Sequence, residues 1–150
     1  MAHLGSCLCG RVRFRIEGAL PAFGNCHCSI CRKATGSAFW TAGPVQASTF
    51  TWLSGDGSVR WYESSPGCLR GFCACCGSTL AMQERRAPEI ISISVAALDT
   101  QPTQGLVANQ FVGSKAPWYE ITDTLAAYDE GAPTGTYTRN EPREVSVEGT

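Results

Sequence analysis

The sequence predicts a small, mainly β domain held together in part by metal. Three observations carry that expectation. Gly (16) and Pro (8) are frequent among the 150 residues, which favours short strands joined by turns over long helices. Two segments, 10–18 (GRVRFRIEG) and 89–95 (EIISISV), are β-branched or strictly alternating, the period of a strand with one buried face. Nine cysteines are present, and seven of them fall in tight groups with metal-ligand spacing.

Taken in chain order, the elements read as follows. In 10–18, Val12, Phe14 and Ile16 share one face; Arg11, Arg13, Arg15 and Glu17 form a solvated opposite face. The stretch after Pro21, NCHCSICRKATGS, reads as a loop entering a short helical turn. Residues 38–45 read as a strand broken near Gly43 and Pro44. Residues 49–53 and 59–63 read as two strands of a hairpin around the turn Ser54-Gly55-Asp56-Gly57. Pro66-Gly67 marks a second turn, and 69–83 reads as a cysteine knuckle between strand-like pieces. Residues 89–95 form a strand and 106–112 a weaker one. The stretch 114–128 holds Trp118, expected to pack in the core, and ends in a short helix. Residues 1–128 thus make one domain. From Asp129 to Thr150 the composition shifts to Gly, Pro, Thr and Glu, which predicts a loosely held tail.

Composition also excludes function classes. The net charge of −1 gives no global basic field, which counts against nucleic acid as a partner. No apolar run approaches the roughly 20 residues that span a bilayer, so no membrane partner is expected. The first residues lack the charged and apolar regions of a signal peptide, so the expected location is the cytoplasm. Phosphate-loop, nucleophile-elbow and zinc-deaminase signatures are absent.

The cysteine spacings carry the chemistry. Cys7 and Cys9 form C-x-C, which puts two thiols on one face of an extended segment. Cys73 and Cys76 form C-x-x-C followed by Gly77, a zinc-knuckle spacing. Together they make a closed four-thiolate zinc site, whose role is to staple the chain. Cys26, Cys28 and Cys31 form C-H-C-S-I-C. Three protein ligands leave zinc a fourth position for a substrate atom, as in catalytic sites. An electron-rich tris-thiolate zinc is suited to holding an incoming thiol as thiolate. The opposing reading completes this group with Cys68, Cys75 or His27 as a second structural site. His27 is otherwise expected at the surface with its side chain turned from the metal. Arg32, Lys33 and Lys115 are candidates for the carboxylates of an anionic substrate, Arg for its bidentate fork.

These motifs together, GSCLCGRVRF, CHCSICRKATGS, GFCACCGSTL and FVGSKAPWY, resemble the glutathione-dependent formaldehyde-activating enzyme family, which includes the centromere protein V domain. The resemblance runs from Gly5 to about Asp129. It implies a β-tent of several small coiled antiparallel sheets stapled by zinc. It implies two zinc ions, with Cys7, Cys9, Cys73 and Cys76 structural and Cys26, Cys28 and Cys31 catalytic. The implied activity is a carbon–sulfur lyase or adduct synthase joining glutathione to formaldehyde, giving S-(hydroxymethyl)glutathione. Two features depart from the family pattern. Asn109 stands where many relatives carry His, and the chain is compact beside the glutathione-acting member. The rival reading is a non-catalytic zinc module that binds a protein or nucleic-acid partner.

Overall fold

The computed structural model describes residues 1–138. In chain order it contains β1 (Ala2–Ser6), β2 (Arg13–Glu17), β3 (Phe23–Cys26), α1 (Ser29–Thr35), β4 (Trp40–Gln46), β5 (Phe50–Ser54), β6 (Val59–Ser65), β7 (Cys68–Cys73), β8 (Thr79–Glu84), β9 (Ile90–Ser94), β10 (Leu106–Gln110) and β11 (Ala126–Tyr128), with short 3-10 turns between some of them. The architecture is mainly β, as expected. The strands form a three-stranded sheet, ordered β1-β2-β5, and an eight-stranded sheet, ordered β11-β10-β3-β4-β9-β8-β7-β6. All pairings are antiparallel except those of β10 with β3 and with β11. No helix among the described residues is long and apolar enough to cross a membrane.

The core follows from the alternation of β2. Val12, Phe14 and Ile16 are buried, while Arg11, Arg13, Arg15 and Glu17 face solvent. The apolar set joins Val45, Leu80, Ala81, Ile91 and Ile93 of the larger sheet in one cluster. Phe14 is its aromatic centre. It stacks on Phe50 at 5.3 Å and meets Trp52 edge-on at 6.1 Å.

Several local expectations are corrected. The segments 49–53 and 59–63 are strands but not a hairpin: β5 pairs with β2, whereas β6 pairs with β7. The turn between them sends the chain from one sheet to the other. Strand β4 runs through Gly43 and Pro44 unbroken, paired to β9. Its ladder with β3 ends at Ala42, so Pro44 lies where one side of the strand is open and a missing N–H is tolerated. The stretch 114–128 ends in the parallel strand β11 rather than a helix. Trp118, expected in the core, is 71% exposed. Of the tail expected from Asp129, residues 129–138 lie against the domain: Ala22 N–H donates to Tyr137 O at 3.2 Å and Phe111 N–H to Glu130 O at 2.8 Å. The rest of that segment, 139–150, lies outside the described residues.

Phe14 is fully buried in the cluster that the two sheets share, so its removal leaves a cavity there. Phe14→Ala should lower the unfolding free energy by about 3–5 kcal/mol. Urea melts of metal-replete protein test this, and a loss under about 1 kcal/mol would contradict the assigned core.

Candidate metal and active site

Two groups of cysteines converge among the described residues, and they are those the spacing singled out. The first is Cys7, Cys9, Cys73 and Cys76, with all sulfurs within 4.8 Å of one another. Cys7 and Cys9 follow β1; Cys73 ends β7, and Cys76 lies in the turn to β8. The turn is closed by Gly77 N–H on Cys73 O at 2.8 Å, with Gly77 at φ +75, a conformation that favours glycine. Cys7 Sγ lies 3.5 Å from Cys9 Sγ, and Cys9 Sγ 3.9 Å from Cys73 Sγ. Tetrahedral bonds of about 2.3 Å from zinc to sulfur require sulfurs about 3.8 Å apart. Donors surround the group. Val12 N–H reaches Cys7 Sγ at 3.3 Å, and Ser78 Oγ lies 3.2 Å from Cys76 Sγ. The Ser78 hydroxyl and backbone N–H groups bring the Cys76 thiol down to about 5, while burial pushes Cys73 up to about 11. The donor set fits zinc.

The second group is Cys26, Cys28 and Cys31, again with sulfurs within 4.8 Å of one another. Cys26 ends β3. Cys28 is the N-cap of α1, and its Sγ accepts Cys31 N–H at 3.3 Å, as a capping serine oxygen would. That cap orients Cys28 and Cys31 toward Cys26. Cys26 and Cys31 are buried and Cys28 half-buried. Hydrogen bonding from its neighbours sets the thiols apart: Cys28 and Cys31 push Cys26 far up, while Cys26 and Cys31 hold Cys28 near 2. Three close thiols share one negative charge unless a cation sits among them. Cys68, Cys75 and His27 do not join the group. This set also fits zinc, with three ligands from the protein.

The surroundings contain residues the sequence did not announce. Arg70, on β7, is buried. It donates through Nη2 to Cys31 Sγ at 3.4 Å and through Nε to Ser64 Oγ at 2.9 Å. Its guanidinium carbon lies 5.5 Å from the centroid of the Trp40 ring, which itself packs on Cys26 and Cys31. A cation on the thiolates offsets the excess negative charge of a tris-thiolate metal site. Phe111, at φ 56, packs against the same cluster as the chain leaves β10. This is the only non-glycine positive φ among the described residues. Tyr137 brings its phenol to the same region, and burial, with Cys26 second, pushes it up to about 12. Arg70 and Tyr137 lie outside every cysteine motif. A single Arg in an otherwise apolar strand was the only available hint of the first.

Other expected residues are placed differently. His27 is fully buried, not at the surface. Its Nε2 lies 2.8 Å from Asn109 Oδ1, and Asn109 Nδ2 donates to Asp123 at 3.0 Å. Asn25 Nδ2 also donates to Asn109 Oδ1, at 3.3 Å. An amide thus carries out the polar bridging between His27 and Asp123. Arg32 is committed to backbone carbonyls, donating to His27 O at 3.2 Å and Ser114 O at 3.1 Å. Lys115 Nζ donates to Tyr119 O at 2.9 Å. Lys33 is exposed on α1. A cleft of about 770 Å³ runs between Cys7 and Cys76 on one side and Thr35, Phe39 and Trp40 on the other. It reaches Trp40 but none of Cys26, Cys28 and Cys31, and its charged lining residue is Asp99. That acid makes the cleft a poor seat for a carboxylate.

Asn109→Ala should leave the buried His27 Nε2 and the Asp123 carboxylate without their shared partner. The expected loss is about 1–3 kcal/mol. Thermal or urea melts measure it, and a change below about 0.5 kcal/mol would show that water replaces the amide.

Comparison with known proteins shows the family. The family model described as glutathione-dependent formaldehyde-activating enzyme matches residues 2–114. A Halomonas elongata protein named "Putative glutathione-dependent formaldehyde-activating enzyme" is 32% identical over 125 residues, covering 78% of this chain and 79% of its own. An uncharacterized lyase of Schizosaccharomyces pombe is 33% identical over 79 residues, covering 51% of this chain and 53% of its own. A crystal structure of a Rhodobacter sphaeroides protein aligns with a TM-score of 0.55 at 21% identity, covering 83% of this chain and 98% of that one; that likeness concerns the fold. The cysteine motifs that position both sulfur clusters lie inside the matched span, and the chain belongs to the glutathione-dependent formaldehyde-activating enzyme family.

Proposed function

We propose that the protein is a zinc-dependent carbon–sulfur lyase or adduct synthase that joins a thiol, glutathione, to formaldehyde or a similarly small aldehyde. The observation that carries the reading is the group Cys26, Cys28 and Cys31, three converging thiols that no other Cys, His, Asp or Glu among the described residues joins. Family membership and the relatives' names support the substrate class. Zinc bound by these three would supply a cation that holds an incoming thiol as its nucleophilic thiolate at neutral pH.

The chain's own residues do the rest. The N-cap of α1 fixes Cys28 and Cys31 against Cys26. Arg70 donates to Cys31 Sγ and balances the sulfur charge. Trp40, Met82 and Phe111 wall the group and limit water. A thiolate sulfur attacks the carbonyl carbon, a carbon–sulfur bond forms, and the carbonyl oxygen takes a proton. Of the three basic candidates, Arg32 and Lys115 are committed to backbone carbonyls, so Lys33 is the cation best able to meet a glutathione carboxylate. The four-cysteine group, by this reading, holds a second zinc that joins the sheets. The expected setting is cytoplasmic, where thiols stay reduced.

Two measurements test this assignment. Metal-replete protein should hold two zinc ions per chain by elemental analysis. Structural zinc contributes on the order of 10 kcal/mol to folding. Cys73→Ser or Cys76→Ser should therefore give unfolded or insoluble protein, whereas Cys28→Ser or Cys31→Ser should stay folded with one ion. Equal collapse of both groups would make the second a staple as well. The uncatalysed reaction of glutathione with formaldehyde is the background for the second measurement. Exchange between free and adduct forms should be faster with wild type than with Cys28→Ser at matched concentration. Equal rates would defeat the catalytic reading and favour a zinc module that binds a partner.

A further inference from the structure

We infer that Tyr137 is a catalytic hydrogen-bond donor of the three-cysteine centre, aimed at the oxygen that develops on the aldehyde. This rests on the proposed thiol–aldehyde reaction, and it comes from a residue beyond the span matched by the family model, 2–114.

The placement follows from β3. Gly24 and Cys26 are two residues apart on this strand, so they share a face. Trp40, the register partner of Cys26, lies on that face too and packs on Cys26 and Cys31. Gly24 has no side chain, and the phenol of Tyr137 fills its place. A Cβ there would stand 2.6 Å from Tyr137 Cε1 and 2.8 Å from Cζ, and it would overlap the hydroxyl oxygen. The hydroxyl therefore lies about 6.6 Å along the strand from the Cys26 position, one strand repeat away. Tyr137 is held there by Ala22 N–H on its carbonyl at 3.2 Å, at the end of a turn closed by Thr136 Oγ1 on Pro133 O at 2.7 Å.

The hydroxyl oxygen is fully enclosed, and no described residue hydrogen-bonds to it. A buried hydroxyl is normally partnered, so one without a partner beside a reactive centre calls for a ligand. Arg70 Nη1, Trp40 Nε1 and His27 Nδ1 are likewise buried without a partner, but a guanidinium and an indole N–H do not give up a proton at neutral pH. Arg70 is held through its other nitrogens by Cys31 and Ser64. His27, one residue past Cys26, turns its ring to Phe39 and Tyr119 and binds Asn109. On this proposal a thiol whose sulfur joins the triad extends toward the phenol. As the sulfur attacks, the carbonyl π pair moves to oxygen. The phenol O–H stabilises that oxygen and passes it a proton, which water then restores to Tyr137. The net change is thiolate plus aldehyde plus one proton to the hydroxyalkyl thioether, with no redox partner. A preformed donor acts most strongly where charge develops.

The test uses zinc-replete protein, with Cys28→Ser as the control for the underlying reaction. Tyr137→Phe should keep two ions and the wild-type melting temperature. Its kcat for thiol–aldehyde exchange should fall roughly 100-fold, with KM for the thiol within about twofold. A second readout needs no turnover: calorimetric binding of 2-mercaptoethanol and ethanethiol to wild type and to Tyr137→Phe. The hydroxyl-bearing thiol should bind about fivefold more tightly, a preference that Tyr137→Phe abolishes. Tyr137→Phe at the wild-type rate, with Cys28→Ser inactive, would overturn the role of Tyr137 and leave the reaction standing. Equal binding of the two thiols by wild type would overturn it as well. Cys28→Ser exchanging as fast as wild type would remove the reaction and this role with it.

Discussion

Everything in this fold turns on sulfur atoms brought closer than uncompensated thiols would sit. Four of them meet within 4.8 Å where the end of β1 approaches the β7–β8 turn. That is also where the small sheet meets the large one. The sheets share an apolar cluster that includes Phe14, and β1 is also bonded to the segment after β9, through the Gly5–Leu98 bridge and through Asp99 N–H on Leu4 O at 2.8 Å. The backbone anticipates the sulfur geometry: Gly77 turns the knuckle, and Val12 and Ser78 aim donors at the thiols. The three-cysteine group then inherits a rigid setting, because Arg70, its buried cation, sits on the strand that ends in Cys73.

What could be read from the sequence was what depends on spacing. The period-two pattern of β2, the C-x-C pair, the knuckle and the three-cysteine group are short-range facts, and the structure brings together the residues those spacings marked. Pairing between strands was less legible. A Gly-rich turn between 53 and 59 has the look of a hairpin, yet β5 and β6 belong to different sheets, because burial decides the partner and a local turn does not. Strands β3 and β11 were missed for a related reason. FGNC is short and buried along its whole length, with no alternation to detect, and β11 gains its order from β10 in parallel register. Arg70 was invisible because its role depends on a thiolate 39 residues away, a relation no local pattern records.

The basic residues next to the cysteines illustrate the same limit. Arg32 and Lys33 are adjacent, and both suit an anionic substrate by type. The structure divides them: the helix turns Arg32 inward to cap the backbone of His27 and Ser114, and leaves Lys33 outward. His27 is divided from its neighbours in the same way. Flanked by Cys26 and Cys28, it belongs to a buried polar chain through Asn109 to Asp123 that ties β3, β10 and the 120s loop together. Asn109 keeps that chain connected with an amide, which accepts from one side and donates to the other whatever the solvent pH.

The parallel pairing of β10 with β3 has a consequence for synthesis. The four cysteines of the first group are complete once residue 76 has been made. The three-cysteine group is complete far earlier, by residue 31, but its surroundings arrive in instalments: Trp40, then Arg70, then β10 and Phe111, and Tyr137 near the end. A chain emerging from the ribosome at roughly 5–20 residues per second holds three exposed thiols for several seconds before it can cover them. The fold thus sets an order of events, in which the reactive group is the first to be completed and the last to be enclosed.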